Sequence, residues 1–315
     1  MLSDREKSMA YKLKVRQGLT LDMKMGLTLR RIEEWYNHHG GRVHVAFSGG
    51  KDSTVLLHLV RSKFPEVPAV FVSTGLEYPE ILDFVKTIEN VTWVKPKMPF
   101  NKVVEKHGYP VGSKRTSRSL SALQNPTEKN AATRNLVLTG MNRAGNFCKS
   151  FKMAKRWHKL IDSGIRCSDK CCDVIKKEPI KRYVKEMGTA AYVGTMAGES
   201  TNRKMWYLKQ GCNSFDSKEP KSMPLSFWME EDIWEYLRTY DVPYSKIYDM
   251  GEKRTGCMFC MFGVQMEKQP NRFQRMAKSH PAQYKYCMDK LGLAEILDFI
   301  GVPYAPVDED DEMFS

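Results

Sequence analysis

Two sets of residues in this chain have types and spacings suited to chemistry. The first is Ser48-Gly49-Gly50-Lys51-Asp52-Ser53, which follows the apolar run Val43–Phe47 and precedes apolar residues at helical spacing over 54–60. A strand, a glycine turn and a helix start bring free backbone N–H groups and the positive end of a helix dipole to one point, which favours phosphate. Glycines let the backbone turn sharply and approach an anion closely. Ser48, Ser53 and Thr54 add hydroxyl donors and Lys51 a full positive charge. Asp52 belongs beside a phosphate only as a metal ligand or a helix cap. The spacing is not that of the G-x-x-x-x-G-K-[ST] P-loop. The plainer reading is an ordinary turn between a strand and a helix of a parallel sheet.

The second set is the cysteines: Cys148, Cys167, Cys171, Cys172, Cys212, Cys257, Cys260 and Cys287. Cys171 and Cys172 are adjacent, and Cys257 and Cys260 form a C-x-x-C. Such a pair alone is a redox dithiol, half a zinc site or half an iron–sulfur site. Four thiolates from two pairs suit tetrahedral zinc or a [4Fe-4S] cluster. Adjacent cysteines are awkward for a zinc knuckle, which prefers a gap between ligands, and this tips the reading toward iron–sulfur. Cys148, Cys212 and Cys287 are isolated and read as small core residues. Cys167, four residues before Cys171, is a candidate to support the site or to do chemistry.

The elements that must position these residues are legible in outline. The chain has 315 residues and a formal net charge of +13, enough length for one large domain or two modest ones. No apolar run is long enough to span a membrane, and the polar N-terminus lacks a signal-peptide core, so a cytoplasmic location is expected. Residues 1–40 are predicted helical from Leu19, Leu21, Met25, Leu29, Ile32 and Trp35, with His39-Gly40-Gly41 ending the run. Buried strands are predicted at 43–47, 69–73, 91–94 and 190–196, with a helix over 81–88. The expectation is an α/β fold: a doubly wound parallel sheet of about five strands with helical N- and C-terminal extensions. Ligands of such sheets sit at the carboxyl ends of the strands. The Ser48 loop, the Thr74-Gly75-Leu76-Glu77-Tyr78-Pro79-Glu80 segment and the segment from Ala197 to Arg203 should therefore share a site. The predicted division is a helical extension over 1–40, a nucleotide-binding domain over 41–249 and a C-terminal region over 250–315.

Charge is unevenly spread. Residues 111–160 hold eleven Lys or Arg and a single acid, Glu128. The insertion over about 100–165 reads either as a solvated, partly mobile segment or as a lid or polyanion-binding surface. Residues 308–312 are acidic, and a run of this kind is expected to be a solvated, disordered tail. An amphipathic helix is predicted over 230–240 with Ile233, Trp234 and Leu237 on one side. The last helices, over about 271–300, should bury Phe273, Met276, Tyr284, Tyr286 and Leu293.

The glycine loop resembles the SGGxDS signature of the PP-loop ATP pyrophosphatases. Over residues 42–263 the chain is similar to the PAPS reductase family, which includes adenylyl-sulfate reductases. The shared features, in family order, are the loop, Thr74 to Glu80, Cys171-Cys172 with Lys176-Lys177-Glu178-Pro179, Gly194 to Arg203, Pro224-Leu225-Ser226-Phe227-Trp228, and Val242-Pro243-Tyr244 through Tyr248-Asp249. The resemblance implies that Cys171, Cys172, Cys257 and Cys260 bind a [4Fe-4S] cluster. It also implies that Ser48, Gly49, Gly50, Lys51, Asp52, Ser53, Thr74, Glu77 and Arg203 bind a nucleotide. The reductases carry a nucleophilic cysteine within a C-terminal Glu-Cys-Gly-Leu-His, which has no counterpart here, and their glycine loop is generally degraded. Intact Lys51 and Asp52 suit ATP with Mg²⁺. In these respects the chain resembles the DndC-type members, iron–sulfur ATP pyrophosphatases of DNA phosphorothioation. The implied activity is cleavage of ATP to AMP and pyrophosphate, with Lys51 and Asp52 catalytic, to activate an acceptor for sulfur transfer. The implied partners are a nucleic acid and a sulfur donor or reductant protein, with no membrane. The alternatives are reduction of adenylyl sulfate or PAPS to sulfite, with Cys167 or Cys148 as nucleophile, and a non-catalytic nucleic-acid-binding protein that senses ATP.

Overall fold

A computed structural model describes residues 3–306, so the acidic run at 308–312 lies outside the described residues. The chain divides into two compact units. One comprises the residues up to Ser73, Glu77–Lys95 and Pro179–Thr255; the other comprises Thr74–Leu76, Pro96–Glu178 and the residues from Gly256 onward.

Along the chain come α1 (Asp4–Gln17), α2 (Leu21–His38), β1 (Val43–Phe47), α3 (Lys51–Arg61), β2 (Ala69–Val72), α4 (Pro79–Lys86) and β3 (Val91–Val94). Then follow α5 (Phe100–His107), α6 (Lys114–Gln124), α7 (Ala131–Thr139), α8 (Glu178–Met187), β4 (Ala190–Val193) and α9 (Thr201–Gln210). The two-residue strands β5 (Asn213–Ser214) and β6 (Lys221–Ser222) precede α10 (Glu230–Thr239), and α11 (Arg272–Ser279), α12 (Pro281–Lys285) and α13 (Leu293–Ile300) complete the order.

The first unit holds a six-stranded sheet in the order β3-β2-β1-β4-β6-β5. β1 lies between two parallel neighbours, pairing Val45 with Ala69 of β2 and Val43 with Ala190 of β4. Only β5 runs antiparallel, against β6. The mixed α/β class with a mostly parallel sheet is as expected, with one strand more. Strand order turns back between β1 and β4, the switch point at which such sheets open a crevice beyond the strand ends. β1 is buried because it is central. β3 is an edge strand, which is why Val91–Val94 is half-buried to exposed rather than buried as expected.

The expected N-terminal helical run is two helices. A capping box starts α1, with Ser3 N–H donating to Glu6 Oε2 at 2.7 Å and Glu6 N–H to Ser3 Oγ at 3.3 Å. Gly18 ends it. α2 buries Leu21, Lys24, Thr28, Ile32 and Trp35, the three-and-four spacing of one helix face. On that face the Lys24 ammonium meets both Asp232 oxygens of α10, at 2.6 and 2.7 Å, and Thr28 Oγ1 accepts the Trp228 indole N–H at 2.8 Å. Ile233 and Leu237 of α10 are buried as expected, and Trp234 is half-buried.

In the second unit the supposedly irregular insertion contains α5, α6 and α7. Each is anchored by few apolar residues: Phe100, Val103 and Val104, then Leu120, then Val137. Phe273, Met276 and Leu293 are buried as expected, but Tyr286 is 46% exposed and Tyr284 half-buried with its hydroxyl donating to Tyr304 O at 3.0 Å. A tyrosine on an apolar stripe keeps a polar tip, and here the tip decides. Among the described residues no helix is long and apolar enough to cross a membrane.

Candidate functional site

The glycine turn joins β1 to α3, and α3 begins at Lys51, three residues before the predicted start. Lys51, Asp52 and Ser53 therefore occupy the first helical turn, with Gly50 as N-cap. Gly49 has φ +72°, and a Cβ there would lie 2.8 Å from methyl carbons of Ile81 and Val85 on α4. A Cβ at Gly50 would lie 2.7 Å from Thr255 Oγ1. Gly49 is thus required by packing as well as by the turn, and Gly50, with an ordinary φ of -79°, by packing alone. The loop is stitched to itself: Ser53 Oγ donates to Gly50 O at 2.8 Å, Ser48 N–H donates to Ser53 Oγ at 3.2 Å, and the two serine hydroxyls are 3.0 Å apart.

Lys51 is buried. Its Nζ lies 3.4 Å from Asp52 Oδ1 and 3.3 Å from Glu230 Oε1, and 5.7 Å from the centre of the Tyr248 ring. Its backbone N–H, one of the unpaired donors of a helix start, donates to Tyr248 Oη at 2.8 Å. Burial pushes the ammonium down, but Asp52, Tyr248 and Glu230 together outweigh that, so Lys51 holds its proton above the usual lysine range. Asp52 moves the other way. Burial raises its carboxyl above the ordinary range, and Glu199 and Glu230 add to the rise against the pull of Lys51. Asp52 Oδ1 is buried and accepts no hydrogen bond.

The carboxyl end of β4 meets the same turn: a Cβ at Gly194 would lie 2.9 Å from Asp52 O. Past it, Glu199 accepts the Met196 N–H at 2.8 Å and forms an ion pair with Arg203 of α9. Arg203 is therefore joined to the Asp52 neighbourhood through Glu199. Glu77 is half-buried in the first unit. Thr74 belongs to the second unit, its Oγ1 accepting the Leu76 N–H at 3.2 Å. Sequence reasoning missed Tyr248, Glu230 and Thr255 as neighbours of the loop, whereas Glu199 lies in the 197–203 segment expected to share the site. Tyr248 carried a faint signal in the 242–249 motif; Glu230 carried none beyond its place at the start of an amphipathic helix.

The four paired cysteines lie together within the second unit. The backbone bridge Tyr109–Cys167 and the bridge Gly112–Phe262 hold residues 109–112 between the two cysteine-bearing stretches. Tyr109 N–H donates to Arg166 O at 2.8 Å, Gly263 N–H to Gly112 O at 2.7 Å, and buried Ser117 clamps Val111 through both its N–H and its C=O, each at 2.7 Å. Cys171 and Cys172 open a helical turn that continues as a π-helical stretch over Asp173–Lys177. Pro179 cannot donate to the Ile175 carbonyl and its ring would crowd it, which the wider turn relieves. The Cys260 N–H donates to Cys257 O at 3.2 Å, turning the C-x-x-C back on itself.

Cys171 Sγ lies 3.9 Å from Cys172 Sγ. The hydrogen bond from Cys171 pulls Cys172 down to about 6, with Lys114 and Lys176 helping against burial. Cys171 is raised correspondingly, by that bond and by burial, with Cys260 and Cys257 adding to the rise. Burial pushes Cys257 up to about 11, Lys176 opposing. Four soft donors within electrostatic reach of one another, beside two lysines, match the donor set of a thiolate-bound metal group. No three Cys, His, Asp or Glu side chains among the described residues converge as the ligands of a single ion. Cys167 is buried and pushed up to about 12 by that burial, a poor nucleophile. Cys212 and Cys287 are buried as expected, whereas Cys148 is only half-buried, because it closes a surface hairpin.

The sequence model of the phosphoadenosine phosphosulfate reductase domain matches residues 42–116 and 120–262. A protein of Methanocaldococcus jannaschii described as uncharacterized is 25% identical over 275 residues, covering 86% of this chain. The chain spans about half, 53%, of that relative's length. The adenosine 5'-phosphosulfate reductase 2 of Bacillus subtilis is 25% identical over 230 residues, 73% of this chain and 77% of that protein. Among solved structures, a phosphoadenylyl-sulfate reductase from Candida auris in a phosphate complex aligns with TM-score 0.44 and 18% identity, over 82% of this chain and 96% of its own.

Proposed function

The chain belongs to the phosphoadenosine phosphosulfate reductase domain family, and on that premise we propose that it is a PP-loop enzyme that cleaves ATP to AMP and pyrophosphate, activating an acceptor for sulfur transfer. The observation that carries this reading is the first turn of α3. A buried Lys51 sits 3.4 Å from a carboxylate oxygen, Asp52 Oδ1, that accepts no hydrogen bond. Mg²⁺ is commonly held by one or two carboxylates together with substrate phosphates, so a buried carboxylate oxygen that faces Lys51 at 3.4 Å without accepting a hydrogen bond is the kind of provision it needs. When bound, the ion would neutralise phosphate charge; Asp52 is the residue that would hold it.

An acceptor oxygen, or water where no acceptor is bound, attacks the α-phosphorus, the bond from that phosphorus to the bridging oxygen breaks, and pyrophosphate leaves with the electron pair. Lys51 opposes the negative charge that grows on the leaving oxygens. Tyr248 fixes the backbone of the turn, while Gly49 and Gly50 keep it open to phosphate. Arg203 and Glu77, both of the first unit, are assigned to binding the nucleotide. A sulfur nucleophile from a donor protein then displaces AMP from the adenylated acceptor. The net positive charge favours a nucleic-acid acceptor, as in DNA phosphorothioation. Cys171, Cys172, Cys257 and Cys260 would hold a [4Fe-4S] cluster, which when bound would supply iron to bind and polarise sulfur. Each iron of such a cluster takes its own thiolate, so the four need not converge on one point as they would for zinc. Eight cysteines that are all free support a reducing, cytoplasmic setting.

A second reading, reduction of adenylyl sulfate or PAPS to sulfite, is favoured by similarity to reductases such as the adenosine 5'-phosphosulfate reductase 2 of Bacillus subtilis. Incubation with ATP, adenylyl sulfate and PAPS separately, with the products identified, decides between them. Pyrophosphate from ATP supports the first reading. Sulfite from either sulfated nucleotide, with ATP untouched, replaces it with the second.

A further inference from the structure

We propose that the face formed by residues 140–156 of the second unit is a seat for a single-stranded stretch of polynucleotide. The inference rests on the nucleic-acid acceptor of the reading above and names where and in what form that acceptor binds.

Three features coincide there. The first is a built hairpin. Met141 and Phe147 form an antiparallel bridge, Cys148 N–H donates to Gly140 O at 2.7 Å and Asn142 N–H to Asn146 O at 3.0 Å. Asn142 Oδ1 takes the N–H groups of Ala144 and Asn146 at 3.0 and 2.9 Å. Arg143 is thereby presented on a closed turn. The second is charge: Arg143, Lys149, Lys152 and Lys155 are all exposed, and the stretch 111–160 contains one acid only, Glu128. A run of cations without acids tracks a phosphate backbone.

The third is the aromatic pair. Phe147 is 59% and Phe151 50% exposed. The Arg115 guanidinium lies 4.6 Å from the centre of the Phe151 ring and also donates to Ser150 O, which holds the ring in place. Exposed flat rings beside arginine are the means by which proteins stack unpaired bases, at little sequence preference. In a duplex the bases are already stacked on one another and offer no face to such rings. Beside the hairpin, Leu136, Asn142 and Arg143 line an open depression of about 470 Å³, room for an unstacked base. An anionic bilayer would use the same charge and rings but not the depression beside the hairpin, and vesicles therefore enter the test as the competing outcome.

The test is fluorescence anisotropy of labelled oligothymidylate and oligouridylate of about 15 nucleotides, a duplex of the same length, and phosphatidylserine vesicles. At least one single strand should bind about tenfold or more tightly than duplex, weakening steeply with salt; the two strands separate a DNA source from an RNA source. The Phe147 ring packs over Gly140, so Phe147→Leu with Phe151→Leu is the variant of choice: it keeps bulk and removes the flat faces. It should lose about tenfold or more in affinity with an unchanged melting curve and unchanged ATP turnover without acceptor. Arg143→Glu, at an exposed tip, should reduce the salt slope. Wild-type affinity in both variants, or equal or tighter binding of duplex or vesicles, overturns the proposal. ATP turnover with no strand bound sinks this surface and leaves the reading of the loop standing; strand binding with no nucleotide turnover does the reverse.

Discussion

His44 sets a measurable pH dependence on the stability of the sheet. It lies in the central strand β1, fully buried, with Nδ1 2.9 Å from Thr189 Oγ1 and Nε2 without a hydrogen-bond partner. Burial depresses its pKa from 6.5 to about 4. Between those two values the unfolded chain binds a proton that the folded chain refuses, so stability rises with pH there. The contribution of the neutral ring is fully present above 6.5 and is lost as pH falls toward 4. Going from about pH 7 to about pH 5, the linkage relation gives a loss of about 2 kcal/mol attributable to this one residue. The assay is urea unfolding followed by circular dichroism at both pH values, for the wild type and for His44→Gln, which cannot titrate. Other histidines contribute equally to both proteins and cancel. The wild type should lose about 2 kcal/mol more than the variant on acidification. Parallel losses would show that His44 is protonated in the folded state and that the burial argument is wrong.

Gly49→Ala should destabilise the protein by about 1–3 kcal/mol in thermal or urea unfolding, because alanine at φ +72° is strained and its methyl meets Ile81 and Val85; no measurable change would mean the turn adapts freely. Lys24→Met leaves the Asp232 carboxylate buried without its cation and should cost about 3–5 kcal/mol, most of it regained in Lys24→Met with Asp232→Asn; a full loss in the double variant would place the effect in packing instead. Anaerobically purified protein should be brown with broad absorption near ~400 nm, and Cys257→Ser should bleach it; colourless protein carrying stoichiometric zinc would refute the iron assignment.

The core of the fold was legible because its signals are local. β1, the glycine turn and α3 form one continuous stretch, and the apolar runs of β2 and β4 have the length and composition of buried strands. β5 and β6 were not legible: two residues are too few to show any alternation, and they pair only because β4 offers an edge. α6 was hidden by its composition, KRTSRSLSALQ, in which Ser117 and Leu120 alone are buried. The loop residues Ser48 to Ser53 could be read, but the groups that complete their surroundings could not. Tyr248 lies 197 positions from the Lys51 N–H it accepts, and no periodicity links residues so far apart. The cysteine pairs announced themselves by spacing, while the segment that draws them together, Tyr109-Pro110-Val111-Gly112, carries no residue in sequence that points to them.

The central claim is tested most directly by pyrophosphate release from Mg-ATP by the wild type and by Lys51→Ala, with melting curves of both. The wild type should release pyrophosphate, and the variant should lose about a hundredfold or more of that rate while melting as a folded protein. Release at the wild-type rate from a folded Lys51→Ala protein would contradict the assignment of the Ser48 to Ser53 turn as the seat of the reaction.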